Sequence, residues 1–146
     1  MIKSVLFIIL AVTYPTYSQG EIMGDHTWLY YSPAEVTSII GPPFDIKPFH
    51  EGKLYSYKVK YGFIGYMFRN DSLLRINYTS YFKTKAEAKR LYNSVIGDFQ
   101  AEGFTIYSKR KDCVYLQLSN FGVAMCIGNY EKMFTVNENI YSLIEE

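Results

Sequence analysis

Residues 53–82 read KLYSYKVKYGFIGYMFRNDSLLRINYTSYF, and apolar and polar side chains alternate along much of this stretch. A period of two is typical of β-strands, because successive side chains point to opposite faces of a sheet. Gly62 and the turn residues 70–72 divide the stretch into three segments. The pattern therefore predicts a meander of three antiparallel strands, in which Tyr55 and Tyr57 share one face.

A helix is predicted before this meander and a longer one after it. Residues 32–35, Ser-Pro-Ala-Glu, combine a capping box with proline at the first helical position, and Gly41 ends the segment. Residues 84–102 carry apolar side chains at helical spacing behind a second capping box, formed by Thr84 and Glu87.

Further strands are predicted at 104–108, 113–118 and 123–127, whereas 134–144 fits either a strand or a short helix. The fold class that follows is α+β. We expect one antiparallel sheet of about six strands, in the order α-βββ-α-βββ, with the helices packed on one face.

The first 18 residues have the pattern of a secretory signal peptide. An apolar run at 5–12 follows a lysine, and small residues precede a predicted cleavage site after Ser18. The run is too short to span a bilayer, so no transmembrane segment is expected in the mature chain. The sequence thus predicts a periplasmic or secreted protein, with an extended lead at 19–31 and a single domain at 32–146.

The charge balance and the motifs exclude several classes of function. Of 15 Lys and Arg, one lies in the predicted signal peptide, which leaves 14 of each sign. A protein that binds nucleic acid needs a surplus of basic residues, so we do not expect nucleic-acid binding. Only His26 and His50 are histidines, and no catalytic motif, metal-ligand spacing or cofactor motif is present. A hydrolase would need one of them beside a carboxylate and a nucleophile in a cleft.

Tyrosine is the outlier of the composition, with 15 residues. The rings fit either a half-solvated sheet face or a recognition surface, where Tyr is enriched. We expect a non-enzymatic domain that binds a protein or a cell-envelope component, and the alternative is a small-ligand or glycan-binding module. The candidate contact residues are Trp28, Tyr30, Tyr31, Tyr55 and Tyr57.

Cys113 and Cys126 form a candidate disulfide, which the predicted export favours. Matching the apolar residues of the two strands pairs Val114 with Ile127 and sets the two cysteines diagonally. Diagonal neighbours are about 7–8 Å apart, near the limit for a bridge. The sequence therefore does not decide whether the disulfide forms.

Two segments fit the N-glycosylation pattern, at Asn70 and at Asn77. Asn70 lies in a predicted turn, where it also suits a left-handed backbone conformation, and Asn77 lies within a predicted strand.

Residues 32–43 combine the capped helix Ser-Pro-Ala-Glu-Val with Ile-Ile-Gly-Pro-Pro ahead of the meander. Over residues 32–78 this arrangement resembles small periplasmic helix-on-sheet domains, namely the outer-membrane-assembly lipoproteins and the β-lactamase-inhibitor proteins. The resemblance implies a module that binds other proteins without catalysis. The lipid-bearing cysteine of the lipoproteins is absent at the predicted cleavage site.

Overall fold

Two helices begin at the capping boxes that the sequence predicts. Helix α1 spans Pro33–Ile40 and helix α2 spans Lys85–Ala101. In both, the N-cap hydroxyl accepts a hydrogen bond from the third helical amide, whose glutamate accepts one from the N-cap amide in return. Gly41 ends α1 with φ 86°, a conformation that glycine adopts without strain. These details come from a computed structural model that describes residues 26–50 and 52–144.

The described residues contain eight strands in two runs of four, one run after each helix. Their bounds are β1 Asp45–Phe49, β2 Gly52–Val59, β3 Gly62–Arg69, β4 Ser72–Phe82, β5 Thr105–Arg110, β6 Cys113–Leu118, β7 Phe121–Tyr130 and β8 Met133–Ser142. They form one antiparallel sheet in the order β1-β2-β3-β4-β8-β7-β6-β5. Each half is a four-stranded meander that follows a helix, and the halves meet where β4 pairs with β8.

The α+β class is therefore confirmed, but the predicted sheet of about six strands in the order α-βββ-α-βββ is wrong. Strand β1 escaped the sequence analysis because it is short and contains Pro48, which an edge strand tolerates. The ambiguous C-terminal stretch is strand β8.

The predicted layer of helices over one face is also wrong, because the fold is mostly sheet: 54% of the described residues lie in strands and 24% in helices. Helix α2 lies close to the central strands β4, β8 and β7, whereas the short α1 adds only Val36 and Ile40 to the core. No helix among residues 26–50 and 52–144 is long and apolar enough to cross a membrane.

The two faces of the sheet differ in burial. The face toward α2 carries the core, and its fully buried strand residues include Ile64, Tyr66, Ile76, Leu116, Val123, Met125 and Ile140. The other face carries the alternate residues of each strand, and most of these side chains are half-buried or exposed. No described helix or strand covers this second face, and we call it the open face.

The predicted signal peptide and residues 19–25 of the predicted lead lie outside the described residues. The described end of the lead forms a 3-10 turn at His26–Trp28. Its chain then attaches to the start of β4, since the Tyr30 amide donates to the Leu73 carbonyl and the Leu73 amide to the Tyr31 carbonyl.

The register of β6 and β7 differs from the prediction by two residues. Val114 faces Met125 rather than Ile127, and Cys113 therefore lies directly opposite Cys126. Their Cα atoms are 4.1 Å apart and the sulfurs are bonded. The apolar match alone could not choose between the registers, because a shift of two keeps apolar side chains facing each other.

Candidate functional site

The structure does not bring the five predicted contact residues onto one surface. Trp28 and Tyr57 are 7% and 6% exposed, so these two belong to the core and present almost no area to a partner. Trp28 stacks on Tyr31 and on Tyr66, with ring centroids 5.9 and 6.4 Å apart. Both rings are part of the hydrophobic core, which leaves them little area for the predicted contact role.

Tyr55 and Tyr30 lie at separate places. Tyr55 packs edge-on against Phe68 and lines a cleft of about 550 Å³ beside the start of α1. Tyr30 is 39% exposed, and its hydroxyl lies 2.6 Å from the Ser142 Oγ. Neither residue is continuous with the open face.

The two predicted glycosylation sites differ in surroundings. Asn70 is exposed in the two-residue turn between β3 and β4, where Asn70 and Asp71 both have positive φ. Asn77 lies mid-strand on the open face, and its Nδ2, the atom to which a glycan attaches, donates to the Asn139 Oδ1 at 2.8 Å.

A row of four aromatic rings crosses one end of the open face. Phe44 precedes β1, Phe63 is on β3, Tyr81 on β4 and Tyr130 at the end of β7. Successive ring centroids are 6.0, 6.4 and 6.2 Å apart. We call these residues the aromatic row.

The aromatic row is open to solvent. Phe44, Phe63 and Tyr130 are 46%, 43% and 60% exposed. Lys58 lies over the Phe44 ring at 5.1 Å. Exposed aromatic side chains that adjoin one another mark interaction surfaces, because each offers a large apolar area at low entropic cost.

A polar seam lies next to the aromatic row, where β4 pairs with β8. The seam joins the two halves of the sheet through side-chain hydrogen bonds. The Thr79 hydroxyl lies 3.0 Å from the Asn137 Oδ1, and the Asn137 Nδ2 lies 3.5 Å from the Thr135 Oγ1. Its members are Asn77, Thr79, Thr135, Asn137 and Asn139.

A second group of rings lies beyond the seam, and here each of two arginines covers a tyrosine. Arg75 lies over the Tyr141 ring at 5.9 Å, and Arg110 over the Tyr115 ring at 5.7 Å. The Tyr107 ring is 6.2 Å from that of Tyr115, and Tyr107 is 53% exposed. We call these five residues the arginine–tyrosine cluster.

Tyr141 contacts both Arg75 and Tyr107 within the cluster. Burial first, and then a hydrogen bond with Tyr107, raises the pKa of Tyr141 to about 12, so the phenol keeps its proton at neutral pH. Its ring lies over Gly122, where an added Cβ would stand 2.6 Å from the ring carbons. A larger residue at position 122 therefore cannot coexist with this ring position.

The open face is basic. By strand register, its described strand residues include five cations and one anion, and the anion Asp45 is 3.3 Å from Lys47. The cations are Lys47, Lys58, Arg69, Arg75 and Arg110. The chain is close to neutral as a whole, so this face concentrates positive charge.

Two acid–base groups lie on the covered side. The His26 Nδ1 is 3.7 Å from the Glu102 carboxylate, and the imidazole packs against Phe104 and Phe121. Burial, with smaller effects of Glu102 and Asp98, raises the pKa of Glu138 to about 8. Within the described part of the chain, no three His, Cys, Asp or Glu side chains are placed to hold a metal ion.

Neither the aromatic row nor the arginine–tyrosine cluster was predicted from the sequence. Tyr55 and Tyr57 do share a face, as predicted, but it is the covered one. One signal for the aromatic row was present in the sequence. Phe63 is an odd-numbered residue of its strand, so it points away from the face of the apolar residues Ile64, Tyr66 and Phe68.

Comparison with known proteins adds information on the fold alone. No family model matches the chain, and neither does any curated protein. Among solved structures, the chain is similar to a cysteine-rich secretory protein from Staphylococcus aureus subsp. aureus Mu50, with a TM-score of 0.52 and 11% identity. The match covers 80% of this chain and 44% of that one, so this chain spans less than half of that protein's length.

Proposed function

We propose that this protein is an exported, non-enzymatic α+β domain that binds a protein partner, in the periplasm or outside the cell, through the open face of its sheet. The observation that carries the proposal is the aromatic row. Four adjoining rings on a face that no described element covers form an apolar surface with no role in the core.

The surroundings of the aromatic row favour a protein partner. Aromatic and arginine side chains are the residue types that contribute most to protein interfaces, and this face presents both. The polar seam between them is satisfied by its own hydrogen bonds, so its burial under a partner leaves few polar groups without partners. The basic balance of the face favours a partner with an acidic surface.

The signal-peptide pattern and the resemblance of residues 32–78 to small periplasmic protein-binding domains support the same setting. A partner there meets a domain whose Cys113–Cys126 bridge suits an oxidising compartment.

The test compares two double variants of the full chain. Phe63→Ser with Tyr130→Ser removes two exposed rings of the aromatic row. Ile39→Ser with Tyr61→Ser removes two side chains of similar exposure, 49% and 44%, that lie on α1 and against Phe82. Proteins captured from envelope and culture medium are purified, and their dissociation constants for all three forms are measured.

The proposal expects a captured protein whose affinity falls at least about tenfold with the open-face variant and stays unchanged with the control variant. A set of captured proteins that bind both variants equally well, or no capture from either source, would contradict it. Thermal unfolding of both variants shows whether they remain folded.

A second candidate function rests on the cleft of about 550 Å³ that Tyr55 lines, a volume within the usual range for small-ligand sites. Its wall is aromatic and its rim is polar, with Lys53, Asn70 and Asp71, which suits a sugar. Chitotriose is the probe: if the cleft binds glycans, this sugar raises the thermal midpoint of the protein but not that of Tyr55→Ala.

A further inference from the structure

The arginine–tyrosine cluster is a separate structural unit from the aromatic row. The polar seam lies between them along β4, where Arg75, Asn77, Thr79 and Tyr81 succeed one another on the open face. A partner that covers the open face therefore meets two different chemistries, one apolar and one cationic.

The tyrosine rings orient the two arginines. A guanidinium over an aromatic ring keeps its N–H groups available, because the attraction uses the charge and not the donors. Arg75 and Arg110 are both exposed, and each lies within 6 Å of a ring centroid, at 5.9 and 5.7 Å. Each ring favours one position of its guanidinium, which lowers the entropic cost of binding an anion.

The rings themselves are fixed to the sheet. Tyr107 contacts Tyr115 and hydrogen-bonds with Tyr141, so the two arginine-bearing rings are connected through one phenol. Among residues 26–50 and 52–144, no salt bridge involves Arg75 or Arg110. The cluster thus holds two cations that lie over tyrosine rings and form no salt bridge among the described residues.

We propose that the arginine–tyrosine cluster binds the carboxylates of an acidic segment on the partner protein. This inference rests on the proposed function, since the same face must meet a protein. Arginine forms two parallel hydrogen bonds with a carboxylate, and this geometry suits Asp and Glu side chains. A polypeptide is favoured over an anionic glycan because the apolar aromatic row belongs to the same face and needs an apolar counterpart.

The first experiment uses a fluorescein-labelled peptide of alternating glutamate and glycine, together with a twin in which glutamine replaces glutamate. Fluorescence polarisation measures their binding to the full chain. The proposal expects the glutamate peptide to bind at least about tenfold more tightly than its twin, with affinity that falls as salt is added.

Two matched variants locate the binding. Arg75→Gln with Arg110→Gln removes the two cations of the cluster, whereas Lys89→Gln with Arg90→Gln removes the same charge from the exposed side of α2. We expect only the first to weaken the glutamate peptide about tenfold. Arg75→Lys keeps the charge but loses the two parallel hydrogen bonds that arginine forms with a carboxylate. Its affinity for the glutamate peptide should therefore lie between those of the wild type and the double variant.

Equal loss of affinity in both double variants would overturn the inference, since it would show attraction to net charge alone. The inference would also be overturned if a heparin hexasaccharide binds the wild type but not the Arg75→Gln, Arg110→Gln variant, while the glutamate peptide binds neither. Failure here is distinguishable from failure of the proposed function: a captured partner that needs Phe63 and Tyr130 but not the arginines contradicts the acidic segment only.

Discussion

Replacing Glu138 with glutamine should stabilise the protein at neutral and alkaline pH. Glu138 lies on β8 between Tyr78 of β4 and Met125 of β7, on the face toward α2. The residue is half-buried, and burial raises its pKa from 4.5 to about 8.

The size and the sign of the effect follow from this pKa. Below pH 4.5 the carboxyl is protonated in both the folded and the unfolded chain, so it costs nothing. As the pH rises from 4.5 to about 8, the unfolded chain ionises while the folded chain must keep the proton, and the free energy of unfolding falls. At about 1.4 kcal/mol per pH unit, the cost reaches an upper limit of about 5 kcal/mol above pH 8.

Glutamine at position 138 has nearly the same shape and carries no charge, so this cost disappears. Urea unfolding from pH 4 to 9, followed by the fluorescence of Trp28, measures the difference, since Trp28 is the single tryptophan and is buried. Glu138→Gln should equal the wild type near pH 4 and exceed it by a few kcal/mol at pH 8.5. Glu131→Gln, in an exposed turn, serves as the control. A gain that does not vary with pH, or a loss at every pH, would refute the reasoning.

Three further changes test other parts of the structure. Gly122→Ala should displace the Tyr141 ring, because ring carbons lie 2.6 Å from the added Cβ. We expect the free energy of unfolding in urea titrations to fall by about 1–3 kcal/mol. An unchanged free energy of unfolding would show that the ring is mobile. Joint replacement of Cys113 and Cys126 by serine opens a bridge with a sequence separation of 13 and should cost about 3 kcal/mol, whereas no loss relative to the oxidised wild type would contradict it. Thr84→Ala removes the N-cap hydroxyl of α2 and should cost about 1 kcal/mol, and a thermal midpoint equal to that of the wild type would contradict the cap.

Local features of the fold could be predicted from the sequence because their causes are local. The capping boxes at Ser32 and Thr84 and the turn at Asn70 each depend on a few neighbouring residues, and all three are present. Strand β1 could not be predicted, since Pro48 breaks the usual strand pattern and only its pairing with β2 makes it a strand.

The candidate site depended on long-range information. Alternation shows that Tyr55 and Tyr57 share a face and that Phe63 belongs to the opposite one, but it does not show which of the two faces lies toward α2. The bridge from Cys113 likewise required a register that apolar matching leaves undecided. The face on which α2 packs thus decided which aromatic residues became core and which stayed on the surface.

Photo-crosslinking in living cells tests directly whether the open face is where a partner binds. The photoreactive residue p-benzoylphenylalanine is introduced at position 63, in the aromatic row, or at position 39, which is similarly exposed on α1. We predict that irradiation links a protein to position 63, that the same protein is absent at position 39, and that the link is lost with Tyr130→Ser. Crosslinks that form only at position 39, or at neither position, would contradict a binding role for the open face.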